Sequence, residues 1–171
     1  MGYKMYILET ERLILREFTL LDTEIIYELS QEEALKKWIP DQVYADLDEA
    51  RETLEFLISK YRGKEYPFVI AVVKKDTMEL IGHIGLSVIK RGIEVGYGIG
   101  KKYQNKGYAK EAVDAYTTWG KKEFSLDKIY GVVECENYAS CKVLENSQFT
   151  FLEEDEVVQF DKKKHRKIYI R

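Results

Sequence analysis

Proline, cysteine and histidine are scarce in this 171-residue chain, at two residues each. With 2 Pro and 11 Gly there is no collagen-like repeat and no Pro/Gly-rich disordered tract. Cys135 and Cys141 are too few for a disulfide framework, and with His83 and His165 they give no four-ligand zinc spacing. No metal site is expected, and a reduced, cytoplasmic compartment is the simplest setting. A long apolar run is also missing. The opening MGYKMYILETERLILREF is interrupted by Glu9, Glu11, Arg12, Arg16 and Glu17, so it holds neither a signal-peptide core nor a bilayer span. A net charge of −3 gives the protein as a whole no electrostatic footprint for nucleic acid. Repeats, low-complexity tracts and linkers are absent too, which predicts one domain over 1–171. What is present is 45% hydrophobic and 33% charged residues, in a length suited to a single buried core.

Leu13 to Phe18 reads as a strand. Thr19 with Asp22 three residues on, then Ile25, Ile26 and Leu29, reads as a capped amphipathic helix. A second helix is expected over 46–62, with Leu47, Ala50, Leu54, Leu57, Ile58 and Tyr61 on one stripe. Strand-like runs at 68–74, 80–89 and 93–99, parted by short polar separators, favour antiparallel hairpins. Helical period returns from Gly107 to about Phe124 through Ala109, Ala112, Val113, Tyr116 and Trp119. A strand at 129–133, a short helix ending near Asn146 and strands at 149–160 and 165–170 complete the chain, with Lys162, Lys163 and Lys164 as the last turn. The order β-α-α-β-β-β-α-β-α-β-β predicts an α+β fold with a mixed, mostly antiparallel central sheet flanked by helices. The β-α-β unit over 93–133 requires a right-handed crossover and one parallel strand pair.

The most informative segment runs from Ile93 to Lys110. A strand feeds a polar turn that opens a helix, whose first turn offers unpaired N–H donors and the positive end of the macrodipole. Such a terminus suits phosphate. Gly107 allows close approach or a positive φ, and Lys101, Lys102, Lys106 and Lys110 fall within 101–110 without a single acid. The Walker pattern is absent, and a dinucleotide fingerprint fails because Tyr103 stands where its third Gly belongs. A Lys-rich solvated loop capping an ordinary helix is the plainer alternative. Gly96 and Gly98 weigh against it, since Gly within a strand often marks close approach of a ligand. Bare backbone running into an anion-binding turn suits an elongated ligand, amide-bearing along the strand and phosphorylated at the turn, as pantetheine diphosphate is.

Gln104 to Ala109, QNKGYA, resembles the [RQ]xxGx[GA] signature of the Gcn5-related N-acetyltransferases, the GNAT superfamily. Glu136 to Phe149, ENYASCKVLENSQF, is similar to that family's second motif. Glu11 to Arg16, ERLILR, resembles the start of the branch related to ribosomal-protein N-terminal acetyltransferases. The resemblance spans nearly the whole chain and is strongest over 93–149. It implies acetyl-CoA as donor, with the diphosphate held by backbone N–H groups of Gln104, Asn105, Lys106, Gly107, Tyr108 and Ala109. The pantetheine arm would lie along Tyr97, Gly98 and Ile99, where the parallel strands splay. Asn137 and Lys142 of the second motif fall on the cofactor side. Two positions depart from the pattern. Gln148 replaces the usual Gly, at a cost of about 1 kcal/mol if Ser147 or Gln148 turns left-handed. Leu144 replaces a Tyr, which excludes a tyrosine general acid there.

Acetyl transfer to an amine needs the neutral amine. At pH 7 a lysine-like amine with pKa about 10.4 costs roughly 4.6 kcal/mol to deprotonate, and an α-amine near 8 only about 1.4. Glu94, on the ligand-approached strand, is the candidate proton acceptor, and a cross-strand partner for a basic residue is its plainer role. A main-chain N–H around Tyr97 to Ile99 would meet the oxyanion. Ser140 would hydrogen-bond the departing thiolate or stand as an inert first-turn residue; Asn137 would contact cofactor or simply cap the helix. No His or acid is placed to activate Cys135 or Cys141 for a ping-pong route. His83 reads as a satisfied core or sheet-face histidine. Glu32, Glu33, Asp41, Asp46, Asp48 and Glu49 form either an acidic wall drawing in a cationic amine or a solvated helix face. The basic stretch 162–167 lacks base-stacking aromatics, so it predicts no nucleic-acid partner. The expected function is N-acetyl transfer from acetyl-CoA to a small-molecule or peptide amine in a ternary complex. A noncatalytic acyl-CoA sensor of the same fold is the alternative, no membrane partner is expected, and a homodimer, common among relatives, stays open.

Overall fold

Among the described residues, eight strands form one sheet in the order β1-β2-β3-β4-β5-β6-β8-β7. The computed structural model describes residues 6–171; the part of the opening segment before Tyr6, included in the signal-peptide reading, lies outside them. The strands are β1 (Tyr6–Glu9), β2 (Leu13–Arg16), β3 (Phe68–Lys74), β4 (Leu80–Ile89), β5 (Gly92–Ile99), β6 (Tyr130–Glu134), β7 (Thr150–Gln159) and β8 (Lys162–Ile170). The helices are α1 (Thr23–Ser30), α2 (Glu33–Trp38), α3 (Leu47–Tyr61), α4 (Tyr108–Glu123) and α5 (Tyr138–Glu145). All neighbouring strands run antiparallel except β5 and β6, as the crossover requires.

Alternation along the strands divides the apolar side chains between two faces. On one, Ile70, Val72, Ile84, Leu86, Val95 and Ile99 pack with Val113 and Tyr116 of α4 and Leu144 of α5. On the other, Ile14, Ala71 and Val73 meet Ile26 of α1 and Leu54 and Leu57 of α3. Each fully buried large aliphatic contributes roughly 1.5–3 kcal/mol, so both helical layers are held mainly by these stripes. At the β2–α1 corner Arg16 clasps Asp22 with two 2.8 Å hydrogen bonds, and the Thr19 N–H donates to Asp22 Oδ2 at 2.8 Å. The expected Thr19–Asp22 cap therefore organises a 3-10 turn, Leu20–Asp22, and α1 begins one residue later.

Three expectations need correction. β1 and α2 do not figure in the sequence-based element order, because four and six residues are too few to display a period. The first strand stops at Arg16 rather than Phe18. The last turn is not the triple lysine: Phe160 and Asp161 make it, with φ of 53° and 57°. Lys162 to Lys164 open β8 instead, where Lys163 pairs with Glu156 and Lys164 with Glu134, each at 2.7 Å. Gln148 does take the left-handed conformation, φ 62°, that its replacement of Gly implies.

Candidate active site

Gly100 donates its N–H to Ile81 O at 2.8 Å, continuing the β4–β5 ladder. Alternation then sends the even-numbered N–H groups of β5 toward β4 and those of Val95, Tyr97 and Ile99 toward β6. β6 pairs with β5 only at Glu94↔Tyr130. Beyond that register the strands part, and the N–H groups of Tyr97 and Ile99 face the widening gap, in the stretch expected to supply an oxyanion donor.

The turn after β5 is built to leave donors free. Tyr103 and Gln104 spend their N–H groups on Gly100 O and Lys101 O, so Gln104 cannot offer its amide to a diphosphate and drops out of that set. Its side chain instead pins the strand end, with Nε2 donating to Ile99 O at 2.9 Å. Asn105 and Gly107 both turn left-handed, φ 58° and 82°. Alternating handedness gathers successive N–H groups into an anion-binding concavity. Gly107 is also the N-cap of α4 and carries no side chain to cap it. The first helical amide with a protein acceptor is that of Glu111, to Gly107 O at 3.1 Å, which leaves the Tyr108, Ala109 and Lys110 amides as helix-start donors. The Lys106 side chain is exposed, and Ala109 packs on the core beneath the turn.

Period two places the candidate catalytic groups on opposite faces of β5. Tyr97 points with Val95 and Ile99 toward α5, and its hydroxyl lies 2.8 Å from Ser140 Oγ and donates to Ser140 O at 3.2 Å. Burial raises the Tyr97 pKa well above that of a free phenol, so the group is a neutral hydrogen-bonding partner. Asn137 caps α5, its Oδ1 accepting from the Ser140 N–H at 3.3 Å, which holds Ser140 in the first turn. Lys142 is exposed on the same helix, and Leu144 is fully buried in its wall.

Glu94, Gly96 and Gly98 face the α1–α3 side. Burial raises the Glu94 pKa, the Arg166 guanidinium lowers it, and Asp41 raises it. Arg166 is itself engaged by Asp155 at 2.8 and 2.7 Å, so Glu94 keeps a carboxylate not claimed by an ion pair. Nothing lies within 4 Å of where a side chain on Gly96 would begin, so bare backbone borders open space beside Glu94.

His83, across from Gly98, corrects an expectation. Its Nε2 is buried without a partner, and burial lowers its pKa to about 4, so it is a neutral and unsatisfied imidazole. The acidic wall disperses. Glu32 accepts from the Lys101 N–H at 2.8 Å, Asp46 caps α3, Glu49 accepts from the Ala45 N–H, and Glu33 pairs with Lys36. Only Asp41 of the six approaches Glu94 closely enough to affect it. Cys141 is buried and Cys135 half-buried with its thiol pKa raised by burial, neither an activated nucleophile. Among the described residues no group of three or more His, Cys, Asp or Glu is placed to hold a metal, and no helix is long and apolar enough to cross a membrane.

Thr10, Arg12 and Glu111, to which sequence reasoning gave no role, converge behind the turn. Arg12 Nη1 donates to Lys106 O at 2.8 Å, its Nε to Glu111 Oε2 at 2.7 Å, and its guanidinium covers the Tyr108 ring at 4.5 Å. The ERLILR segment is the only sequence signal that could have drawn attention to it.

The chain is 32% identical over 140 residues to the uncharacterized N-acetyltransferase YnaD of Bacillus subtilis, covering 79% of this chain and 77% of that protein. It superposes on a GNAT-family acetyltransferase from Bacillus anthracis with a TM-score of 0.84 and 25% identity, over 98% of each chain. The ribosomal α-N-protein acetyltransferase RimL, solved in complex with coenzyme A, shares the fold with a TM-score of 0.81 at 16% identity, over 98% of this chain and 97% of that one. The model of the acetyltransferase (GNAT) domain matches residues 12–150, and with the strand order and turn described above this makes the chain a member of the GNAT acetyltransferase family.

Proposed function

We propose that this enzyme transfers an acetyl group from acetyl-CoA to a primary amine, of a protein N-terminus or a small molecule, by direct attack in a ternary complex. The carrying observation is the uncapped start of α4, with left-handed Asn105 and Gly107, set beside the gap between β5 and β6. These residues fit a long ligand with an anionic end: free amides at the turn, unpaired strand amides along the gap and no side chain at Gly96. Asn105 to Ala109 would hold the diphosphate, and the Tyr97 to Ile99 edge the pantetheine arm. RimL's complex with coenzyme A supports the assignment by analogy of fold.

Bound acetyl-CoA supplies an activated acyl carbon. On the α1–α3 face Glu94 takes the proton released as the amine attacks, directly or through one water; its raised pKa keeps it closer to the working pH than an ordinary carboxylate. The Tyr97 and Ile99 N–H groups stabilise negative charge on the carbonyl oxygen. From the opposite face the Ser140 hydroxyl, oriented by Tyr97 and by the Asn137 cap, hydrogen-bonds the departing sulfur. Attack needs no acyl-cysteine: Cys141 is buried and burial raises the Cys135 thiol pKa.

Titration calorimetry with coenzyme A and release of free thiol from acetyl-CoA over a panel of amines and peptides test the proposal. Saturable binding with turnover on an acceptor supports it. Binding without turnover on any acceptor replaces it with a sensor, and no binding removes both.

A further inference from the structure

We propose that Arg12 is a positioning residue for the diphosphate turn, acting from behind it on peptide orientation and on charge. The inference rests on the coenzyme A reading and adds a residue to it. In a trans peptide the C=O and the following N–H point in opposite directions. Arg12 Nη1 captures Lys106 O at 2.8 Å, so the Gly107 N–H is turned away from Arg12, to the side where the free α4 amides begin. A Cβ on Gly107 would lie 3.2 Å from Arg12 Nη2, so the missing side chain lets the guanidinium seat close beneath the turn.

The second action is neutralisation. Glu111, in the first turn of α4, places a carboxylate near amides intended for an anion. Burial raises its pKa, but hydrogen bonds from Thr10 and from Arg12 outweigh that and leave it lowered, so it is ionised at neutral pH. Thr10 Oγ1 donates to Glu111 Oε1 at 2.6 Å, the Arg12 backbone N–H to the same oxygen at 2.8 Å, and Arg12 Nε to Oε2 at 2.7 Å. One guanidinium thus cancels the only first-turn acid and fixes the carbonyl beside it. Lysine has the charge without the planar fork that reaches both.

Arg12→Met is expected to weaken coenzyme A binding by roughly 10- to 100-fold, the range for lost hydrogen bonds to charged groups. The KM for acetyl-CoA rises in step while kcat at saturation stays within about twofold. Acetyl-pantetheine, which lacks the diphosphate, is the discriminating probe, and its kcat/KM stays unchanged. Adding Glu111→Gln to Arg12→Met recovers several-fold in coenzyme A affinity, because the unneutralised carboxylate is gone. Arg12→Lys gives an intermediate loss and serves if the methionine variant does not fold, which thermal melting reports. Equal losses with acetyl-CoA and acetyl-pantetheine, or unchanged coenzyme A affinity in both Arg12 variants, overturn the proposal. Failure of the unsubstituted protein to bind coenzyme A refutes the underlying reading instead.

Discussion

Gly96→Ala separates what the strand needs from what the site needs. Gly96 has an ordinary φ, pairs with Gly85, and would place a new methyl with no atom within 4 Å. Glycine inside regular structure costs roughly 0.5–1 kcal/mol relative to alanine, through the entropy of the unfolded chain. The substitution should therefore stabilise the fold by about that amount and raise Tm by roughly 1–4 °C for a chain of this size. If the open space beside Glu94 is where amine and thioester meet, the same methyl obstructs them. We expect kcat/KM to fall at least tenfold, and further for Gly96→Val. Gly98→Ala is the contrast, since its Cβ would sit 2.8 Å from His83 Cε1; that crowding should lower stability by about 1–3 kcal/mol. Thermal melting and thiol release on the same preparations decide the matter. A Gly96→Ala protein that melts higher and keeps full activity refutes the placement of the reacting groups over this strand.

Glu94→Gln should lower kcat by about 10²- to 10⁴-fold and abolish the acidic limb of the pH–rate profile, which in the parent enzyme lies above the ordinary carboxylate range because burial raises the Glu94 pKa. Ser140→Ala should lower kcat more than it raises KM, and Tyr97→Phe should do so to a smaller degree; equal activity in both variants would exclude a leaving-group role for the pair. His83, with its pKa lowered to about 4 against 6.5 unfolded, makes the unfolded state the better proton binder between those values, so stability is lost as pH falls from 6.5 toward 4. Between pH 7 and pH 4.5 the loss should be about 2.4 kcal/mol and be absent in His83→Gln, as urea titrations at those two pH values would measure. Asn137→Ala should cost about 1 kcal/mol in the same assay by removing the α5 cap.

Legibility in the sequence followed period and locality. β5 and α4 carry strong periodicities with a turn between them, β3 is a short continuous apolar run, and the glycine and lysine pattern of 96–110 marks the candidate anion-binding turn. The hairpin tip at Phe160–Asp161 contains no Gly or Asn, and Asp161 beside a bulky Phe is a weak mark of positive φ, so the neighbouring lysines read as the turn. The acids of 32–49 are close in sequence but serve separate partners, because capping and main-chain contacts take up most of them. The role of Arg12, a residue of the ERLILR segment, is illegible for the opposite reason. Its partners Lys106 and Glu111 lie 94 and 99 positions away, a distance no local pattern encodes.

The candidate chemistry depends on an asymmetry in how β5 is held. Every residue from Gly92 to Ile99 pairs with β4, which locks the register and hence the facing of each side chain. A slip of one residue would send Glu94 toward α4 and α5 and Tyr97 toward α1 and α3. The other edge is held to β6 at one register only. A strand fixed on one edge and released on the other would give a group reacting there three kinds of neighbour at once. These would be the Glu94 carboxylate from one face, the Tyr97–Ser140 hydroxyl pair from the other, and main-chain amides in the plane between them. The fold secures the first two through side-chain alternation and the third by withholding hydrogen bonds from β6. Extending β5–β6 pairing past Glu94 would therefore remove the amide donors even with every side chain in place.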